Sequence, residues 1–309
     1  EMIAGGFRNP YGLAFNPDGE LFVFDADMEW DEGTPWYRPT RVNHVVSGGD
    51  YGWRQGTDKW PGYFPDSLPS NLDIGLGSPT AIAFGANSHF PEAYRNALFI
   101  LDWAYGKIFA VHLTPDGASY HGRFEEFVTG RPLNVTGADF GPDGALYFTT
   151  GGRRTQSGLY RVRFTGKPKE ESGIPALGQS HLEAAKQSRE LRRRLEVFHS
   201  EQSIEGLGLA WNNLSHDDFW IRHAARVALE NQPIKRWTLP ALTESDPKRA
   251  LTALMALARV ADAKGPPQVV ARLNDLPWER LALEWQLVAL RTYQLAFIRM
   301  DAGTVYDRK

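Results

Sequence analysis

The sequence contains no cysteine. Disulfides, thiolate metal ligands, a cysteine nucleophile and covalent attachment of a c-type haem are therefore excluded within this segment. It also has no apolar run near the roughly 18 residues that a membrane-spanning helix needs, and no basic stretch followed by an apolar one at its N-terminus. No basic stripe is present in either half, so nucleic acid is not an expected partner. The glycine signatures of nucleotide sites and of nucleophile elbows are missing too. Gly206-Leu207-Gly208 has neither a third glycine nor a preceding strand.

What is present divides the 309 residues in two. Residues 1–166 hold 24 of the 30 glycines, and only 6 fall in residues 167–309, so turn-rich structure gives way to structure with few turns. Charge divides at the same place: 13 Lys and Arg against 19 Asp and Glu, a net −6, before the boundary, and 21 against 18, a net +3, after it. An acidic first half suits a cation or a neutral polar ligand. The expected organisation is a β-rich domain over 1–166, a linker over 167–179 (KPKEESGIPALGQ) and a helical domain over 180–309.

The first half repeats one pattern. NPYGLAFNPDGELFVFDAD (9–27), SPTAIAFGANSHFPEAYRNALFILDWAYGKIFAVHL (78–113) and NVTGADFGPDGALYFTTGG (134–152) each place a short apolar strand, ending in Phe15, Phe84 or Phe140, before a turn and a second apolar strand. Asn16-Pro17-Asp18-Gly19 and Gly141-Pro142-Asp143-Gly144 join proline's fixed φ to a glycine that tolerates positive φ, and read as hairpins. The repeat predicts about three blades of a β-propeller of six-bladed type. Propellers close with about 4 to 8 blades, so the remaining blades are expected upstream, in a longer protein of which this chain is a fragment. The three blades alone would form an open arc with unpaired strand edges.

Beyond the linker the apolar period becomes helical. Ile221, Ala224, Ala225 and Ala228, and then Leu251, Leu254 and Ala258, recur at i, i+3, i+4 and i+7 spacings. Asp246-Pro247 is a cap followed by a first-turn proline, Gly265-Pro266-Pro267 ends the pattern, and a further helix runs through 281–300. The expected inner positions include Ile221, Ala225, Leu251, Leu254, Leu287 and Leu290. This ladder resembles HEAT-type repeats, a stacked α-solenoid.

Several polar groups are candidates for chemistry, each with a structural alternative. Asp25, Asp27, Glu29, Asp31 and Glu32 form an acidic run that either holds a hard cation or is a solvated strand-end loop. Arg8 and Asn9 either grip a ligand or pin a turn. His44 is a base or a strand histidine held by its neighbours. Trp30, Trp36, Tyr37, Tyr51, Trp53 and Trp60 either stack a ring-shaped ligand or pack blade on blade. His216 and His223, seven apart with no third ligand in view, read as packing residues.

GFRNPYGLAF (6–15), the acidic segment after it and SGGDYGW (47–53) resemble the glucose/sorbosone dehydrogenase propellers, soluble quinoproteins that use pyrroloquinoline quinone (PQQ). With PTRVNHV (39–45) and the HEAT-like tail, the chain is similar to the large membrane-bound, haem-domain-bearing dehydrogenase-like proteins of Planctomycetes and Verrucomicrobia. The resemblance covers roughly residues 5–165, and the tail more loosely. It implies that Arg8 and Asn9 contact the quinone and that the backbone carbonyls of Asp27 and Met28 hold Ca²⁺ against it. It also implies a periplasmic or exported location.

Other positions depart from that pattern. The cofactor lysine of the family falls around Ala104 and Tyr105, with Lys107 nearby, and its two arginines fall near Asn134 and Thr136. The catalytic histidine would lie upstream of Gly5, so no catalytic residue is assigned here. The implied function is a quinoprotein dehydrogenase-like module that oxidises a sugar or polyol hydroxyl in its full-length parent and is inactive as this fragment. The same residues leave two other functions open: a non-catalytic propeller and HEAT scaffold for a protein or glycan partner, and a calcium-dependent lactonase-like propeller.

Overall fold

The structure is a computed structural model and describes residues 2–26, 37–54, 58–152, 156–166 and 178–306. It divides into two compact units, one of Glu1–Trp60 and Pro69–Glu183, the other of Pro61–Leu68 and Ala184–Lys309. The order is β then α. The strands are β1 (Ala4–Gly5), β2 (Leu13–Phe15), β3 (Leu21–Asp25), β4 (Thr40–Val45), β5 (Gly49–Asp50), β6 (Trp53–Arg54), β7 (Asp58–Lys59), β8 (Leu72–Gly75), β9 (Pro79–Phe84), β10 (Ala97–Asp102), β11 (Lys107–Asp116), β12 (Ser119–Thr129), β13 (Val135–Phe140), β14 (Leu146–Thr150) and β15 (Gly158–Val162). The helices are α1 (Glu92–Arg95), α2 (Gln179–Val197), α3 (Ile204–Asn213), α4 (Phe219–Asn231), α5 (Thr238–Thr243), α6 (Pro247–Val260), α7 (Gly265–Asn274) and α8 (Leu283–Tyr306).

Three antiparallel sheets follow one another along the first unit, β2-β3-β4-β8, then β9-β10-β11-β12, then β13-β14-β15. Each is a meander, the arrangement of a propeller blade. The two Pro-Asp-Gly turns adopt one conformation. Gly19 and Gly144 sit at φ +77° and +68°, and Asn16 and Gly141 each close the turn with paired backbone bonds of 2.9–3.0 Å. A side chain at either glycine would strain that left-handed backbone.

The sheets pack face to face. Phe22, Phe24 and Val42 of the first sheet meet Ile82, Leu98, Ile100, Phe109 and Val111 of the second. The opposite face of the second sheet offers Ala97, Phe99, Leu101, Ile108 and Ala110 to Val135, Leu146 and Phe148 of the third. All six residues of β10 are buried because its sheet is covered on both sides, which is why that strand reads as an unbroken apolar run.

The repeated phenylalanine has a direction. Phe84 packs into the core between the first and second sheets, and Phe140 into the core between the second and third, so each faces the preceding sheet. Phe15, at the same place in the first sheet, has no such neighbour among the described residues and is 60% exposed, as is Leu13 two residues earlier at 62%.

The second unit is helical. Ser203, Asp218 and Asp246 cap α3, α4 and α6 with side-chain oxygens that accept backbone N–H groups at 2.8–3.0 Å, and Pro247 opens α6 as expected. Ile221, Ala225, Leu251 and Leu254 are buried. Leu287 and Leu290 do not follow. Leu287 is only partly buried and Leu290 is 53% exposed, because α8 turns a different stripe inward, Trp285, Val288, Ala289, Thr292 and Ala296. Both sides of α8 are apolar, so its period alone points to two candidate faces. Pro61–Leu68 is also part of this unit. There Asp66, fully buried, accepts from Arg291 Nε and Nη2 (2.8 and 2.9 Å) and Arg259 Nη1 (3.3 Å), while the Phe64 ring lies 4.4 Å from the Arg291 guanidinium.

Candidate functional site

Of the polar residues singled out in the sequence, Arg8, Asn9 and Asp25 meet at the end of β3. β3 ends at Asp25, whose carboxylate is withdrawn from solvent and accepts four groups. The backbone N–H groups of Arg8 (3.0 Å), Asn9 (2.9 Å) and Ala26 (3.0 Å) donate to Oδ1, and the Arg41 guanidinium donates to Oδ2 through Nε (3.2 Å) and Nη2 (3.1 Å). Arg41 Nη2 also reaches the carbonyls of Tyr51 (2.7 Å) and Gly6 (3.4 Å). Asp25 thus leaves the acidic run as a fully engaged structural group, and a carboxylate so engaged is not a free cation ligand.

GFRN and SGGDYGW, distant in the sequence, form one structure. β1 and β5 pair in parallel, Tyr51 N–H and Trp53 N–H donate to the Gly5 and Gly6 carbonyls (2.9 and 2.8 Å), and the Phe7 and Tyr51 rings stack at 4.5 Å. Gly6 sits at φ +74°, and a Cβ there would lie 2.3 Å from Asp50 Oδ1 and 2.7 Å from two backbone nitrogens, so the close approach requires glycine. The outcome is a braced turn that fixes the backbone of Arg8 and Asn9 and leaves Arg8 half-buried and Asn9 exposed.

The second sheet repeats the device. β10 ends at Asp102, whose Oδ1 accepts the N–H groups of Ser78 (2.8 Å) and Ala104 (3.0 Å). Burial raises its pKa from the ordinary aspartate value, against the backbone donors that lower it. In the third sheet Thr150 stands in place of the aspartate. There the second and third sheets are tied together by Trp103 Nε1 donating to the Gly151 carbonyl (2.8 Å), Asn134 Nδ2 to the Trp103 carbonyl (3.0 Å), and Gly151 N–H to the Asn134 carbonyl (2.9 Å).

The residues onto which the sequence resemblance maps the cofactor cations of the quinoproteins are engaged elsewhere. Asn134 is a tie between sheets, Thr136 Oγ1 bonds to the carbonyl and hydroxyl of Thr149 (3.2 and 2.9 Å), and Lys107 pairs with Glu126 on β12. Ala104 and Tyr105 carry no charge. An anionic quinone needs cations to balance its carboxylates; Arg8 alone supplies one at the mapped positions, so the residues present do not fit PQQ.

Asp27 and Met28 lie outside the described residues, as do Glu29, Asp31, Glu32, Trp30 and Trp36. Among the described residues no cluster of three or more His, Asp or Glu side chains is placed to hold a metal ion. His223 is buried with Nδ1 3.2 Å from Arg226 Nη2, and His216 Nδ1 accepts the Asp218 N–H at 2.9 Å. Of the other aromatic candidates, Trp60 stacks under the Arg54 guanidinium at 4.2 Å and Tyr37 is exposed.

His44 is a strand histidine held by its neighbours, through partners that its own sequence context does not reveal. Its Nε2 lies 2.9 Å from Glu20 Oε2 and its Nδ1 2.9 Å from Ser119 Oγ, which Asn71 Nδ2 also approaches at 2.9 Å. This has the composition of a carboxylate–histidine–serine triad, but Glu20, His44 and Ser119 are 4%, 0% and 1% exposed. A nucleophile shut away from substrate does not react, so the trio is a buried polar tie between the first two sheets. Only the 75-residue separation of His44 and Ser119 hides it in the sequence.

No protein-family model and no curated protein matches this chain. Among solved structures it is similar to a glucose dehydrogenase-type oxidoreductase of Thermus thermophilus, with 26% identity over 52% of this chain and 47% of that one and a TM-score of 0.43. It is also similar to the soluble aldose sugar dehydrogenase of Escherichia coli in its apo form (20% identity, 52% and 46%, TM-score 0.42). A third is the PQQ-bound aldose sugar dehydrogenase of Streptomyces coelicolor (14% identity, 52% and 45%, TM-score 0.39). The chain spans slightly less than half the length of each, and about half of this chain takes part in the likeness.

Proposed function

We propose that this chain is a quinoprotein dehydrogenase-like module that binds a neutral sugar or polyol and does not itself oxidise it. The observation that carries this reading is the engagement of Asn134 and Thr136 in ties within and between sheets, at positions where a quinone site of the family has cations. What remains at the strand ends is Arg8 and Asn9 on a turn braced by Asp25 and Arg41. A guanidinium and an amide on a fixed backbone suit the hydroxyls of an uncharged ligand, because they supply both donors and an acceptor without demanding a counter-charge. Calcium at the carbonyls of Asp27 and Met28 is a separable part of the proposal, since carbonyl ligation does not depend on side-chain identity. An exported location belongs to it on the sequence resemblance alone.

Titration calorimetry of the whole chain with Ca²⁺, PQQ and a panel of simple sugars and polyols tests this. Calcium and at least one polyol are expected to bind, polyol binding is expected to fall in Arg8→Ala, and PQQ is expected to give no measurable heat. Tight PQQ binding that Arg8→Ala abolishes would overturn the non-oxidising reading. Polyol binding unchanged in Arg8→Ala would remove the assigned site.

A further inference from the structure

The helical unit carries a groove that the packing of its helices leaves open. α3 packs on α4 and α5 on α6, and between the two pairs Trp211 on α3, Leu239, Pro240 and Thr243 on α5, and Glu244 and Ser245 on the turn into α6 line a space of about 410 Å³, the size of a small-molecule site. Its apolar part is open to solvent: Leu239 is 68% exposed, Pro240 is exposed beside it and Trp211 is half-buried. Gly208, one turn before Trp211 on the same side of α3, is exposed, and a Cβ there would meet nothing within 4 Å. Glycine inside a helix costs about 1 kcal/mol relative to alanine, and no packing constraint asks for it here. Its effect is to leave bare the turn over which the indole leans.

Polar groups with bonding capacity to spare border the same space. Ser245 Oγ has no hydrogen-bond partner among the described residues. Thr243 Oγ1 donates to the Leu239 carbonyl at 2.9 Å and keeps its lone pairs. Glu244 Oε1 accepts the Asp246 N–H at 2.9 Å, and Oε2 lies 3.5 Å from Arg249 Nη1. Burial works against ionisation of Glu244, but the Asp246 N–H and the Arg249 charge outweigh it and hold the carboxyl below the ordinary glutamate value.

We propose that this groove binds a neutral pyranose, stacked on Trp211 with its hydroxyls at Ser245 and Glu244. One face of such a ring presents C–H groups, which suit the electron-rich face of the indole and the Leu239 and Pro240 walls. The hydroxyls at its edge donate to Glu244 Oε2 and Thr243 Oγ1 and accept from Ser245 Oγ. A cationic guest is not favoured, because Arg249 already faces the carboxylate and Arg272 Nη2 holds the Glu244 carbonyl at 2.8 Å, and an anionic one is opposed by Glu244 itself. The groove lies wholly within the helical unit and owes nothing to Arg8 and Asn9, so the two sites stand or fall separately.

Saturation-transfer NMR of the full chain with methyl glucoside, methyl mannoside and methyl galactoside tests this. At least one is expected to bind with a Kd of about 1 mM, with saturation strongest at the ring C–H protons. Trp211→Ala should weaken that binding at least about tenfold, and Ser245→Ala about threefold for one lost hydrogen bond. Ser245→Phe, at an exposed position whose larger side chain fills the groove, should abolish it with the helical circular dichroism unchanged, which decides the matter even if Trp211→Ala does not fold. Arg8→Ala should leave it as in the wild type. No glycoside binding at about 10 mM overturns the proposal, as does binding that Ser245→Phe leaves intact. Displacement of the glycoside by choline would show a cation site and overturn it too. Binding lost in Arg8→Ala alone would place the sugar in the first unit, which overturns this groove and leaves the Arg8 and Asn9 site standing.

Discussion

Asp25 on β3 and Arg41 on β4 stand opposite each other in the antiparallel register and meet as a buried ion pair, Arg41 Nη2 lying 3.1 Å from Asp25 Oδ2. The same carboxylate holds the Arg8 and Asn9 N–H groups, so one pair of side chains fixes the strand ends and the turn that carries the candidate site.

Removing the carboxylate should therefore do two things. Asp25→Ala leaves Arg41 buried without a counter-charge and two turn N–H groups without an acceptor, a loss on the order of 3–5 kcal/mol for a broken buried pair. Denaturant titration measures the first effect. Amide exchange measures the second, because the Arg8 and Asn9 amides should lose protection more than those of β10. A stability change below about 0.5 kcal/mol, the range of ordinary surface substitutions, would show that water satisfies these groups equally well.

The hairpins and the helices were legible because local chemistry encodes them. Asn16-Pro17-Asp18-Gly19 and Gly141-Pro142-Asp143-Gly144 specify their turns within four residues, and Asp246-Pro247 marks the start of α6. The direction of Phe15 was not legible, since its exposure depends on which sheet lies behind it. Leu290 failed for a different reason: α8 is apolar on both sides, and a period identifies a face only when the opposite face is polar. At the turn after β1, the sequence singled out Arg8, Asn9 and Asp25 as candidates but not Arg41, whose bond to Asp25 is apparent only once β3 and β4 are in register. Long-range polar ties such as His44 with Ser119 carry no local signal at all.

His199 makes the helical unit sensitive to acid. Burial holds its pKa down at about 4, with the Arg226 and Arg192 charges adding to the effect and the Ala224 carbonyl, which accepts from Nε2 at 3.0 Å, opposing it. In the unfolded chain the ring titrates near 6.5. Between those values the unfolded state binds the proton and the folded state does not. Stability is therefore intact above about pH 6.5, falls as pH drops toward about 4, and levels off below it, with a total on the order of 3 kcal/mol. Stability curves for wild type and His199→Gln at several pH values test this. The difference between them should change through that window, and a constant difference would assign the acid sensitivity to other groups.

Asp66 carries the last prediction. It lies in sequence between β7 and β8, yet its carboxylate is the counter-charge for Arg291 on α8 and Arg259 on α6 inside the helical unit. Arg259 also pairs with Glu230 on α4 (2.8 Å), and Glu230 with the fully buried Arg226, so the helices share one chain of alternating charges that ends on Asp66. Asp66→Ala would leave three arginines to one carboxylate. The expected cost is about 3–5 kcal/mol, the loss seen when a buried pair is left with one partner, and it should appear in the helical transition followed by circular dichroism although the substitution lies in the β-rich half of the sequence. Asp66→Ala combined with Arg291→Met removes both charges and should recover part of the loss, because an apolar side chain of similar size needs no counter-ion. A helical transition that Asp66→Ala leaves in place would mean that Pro61–Leu68 is an accessory to the helical unit and not one of its structural elements.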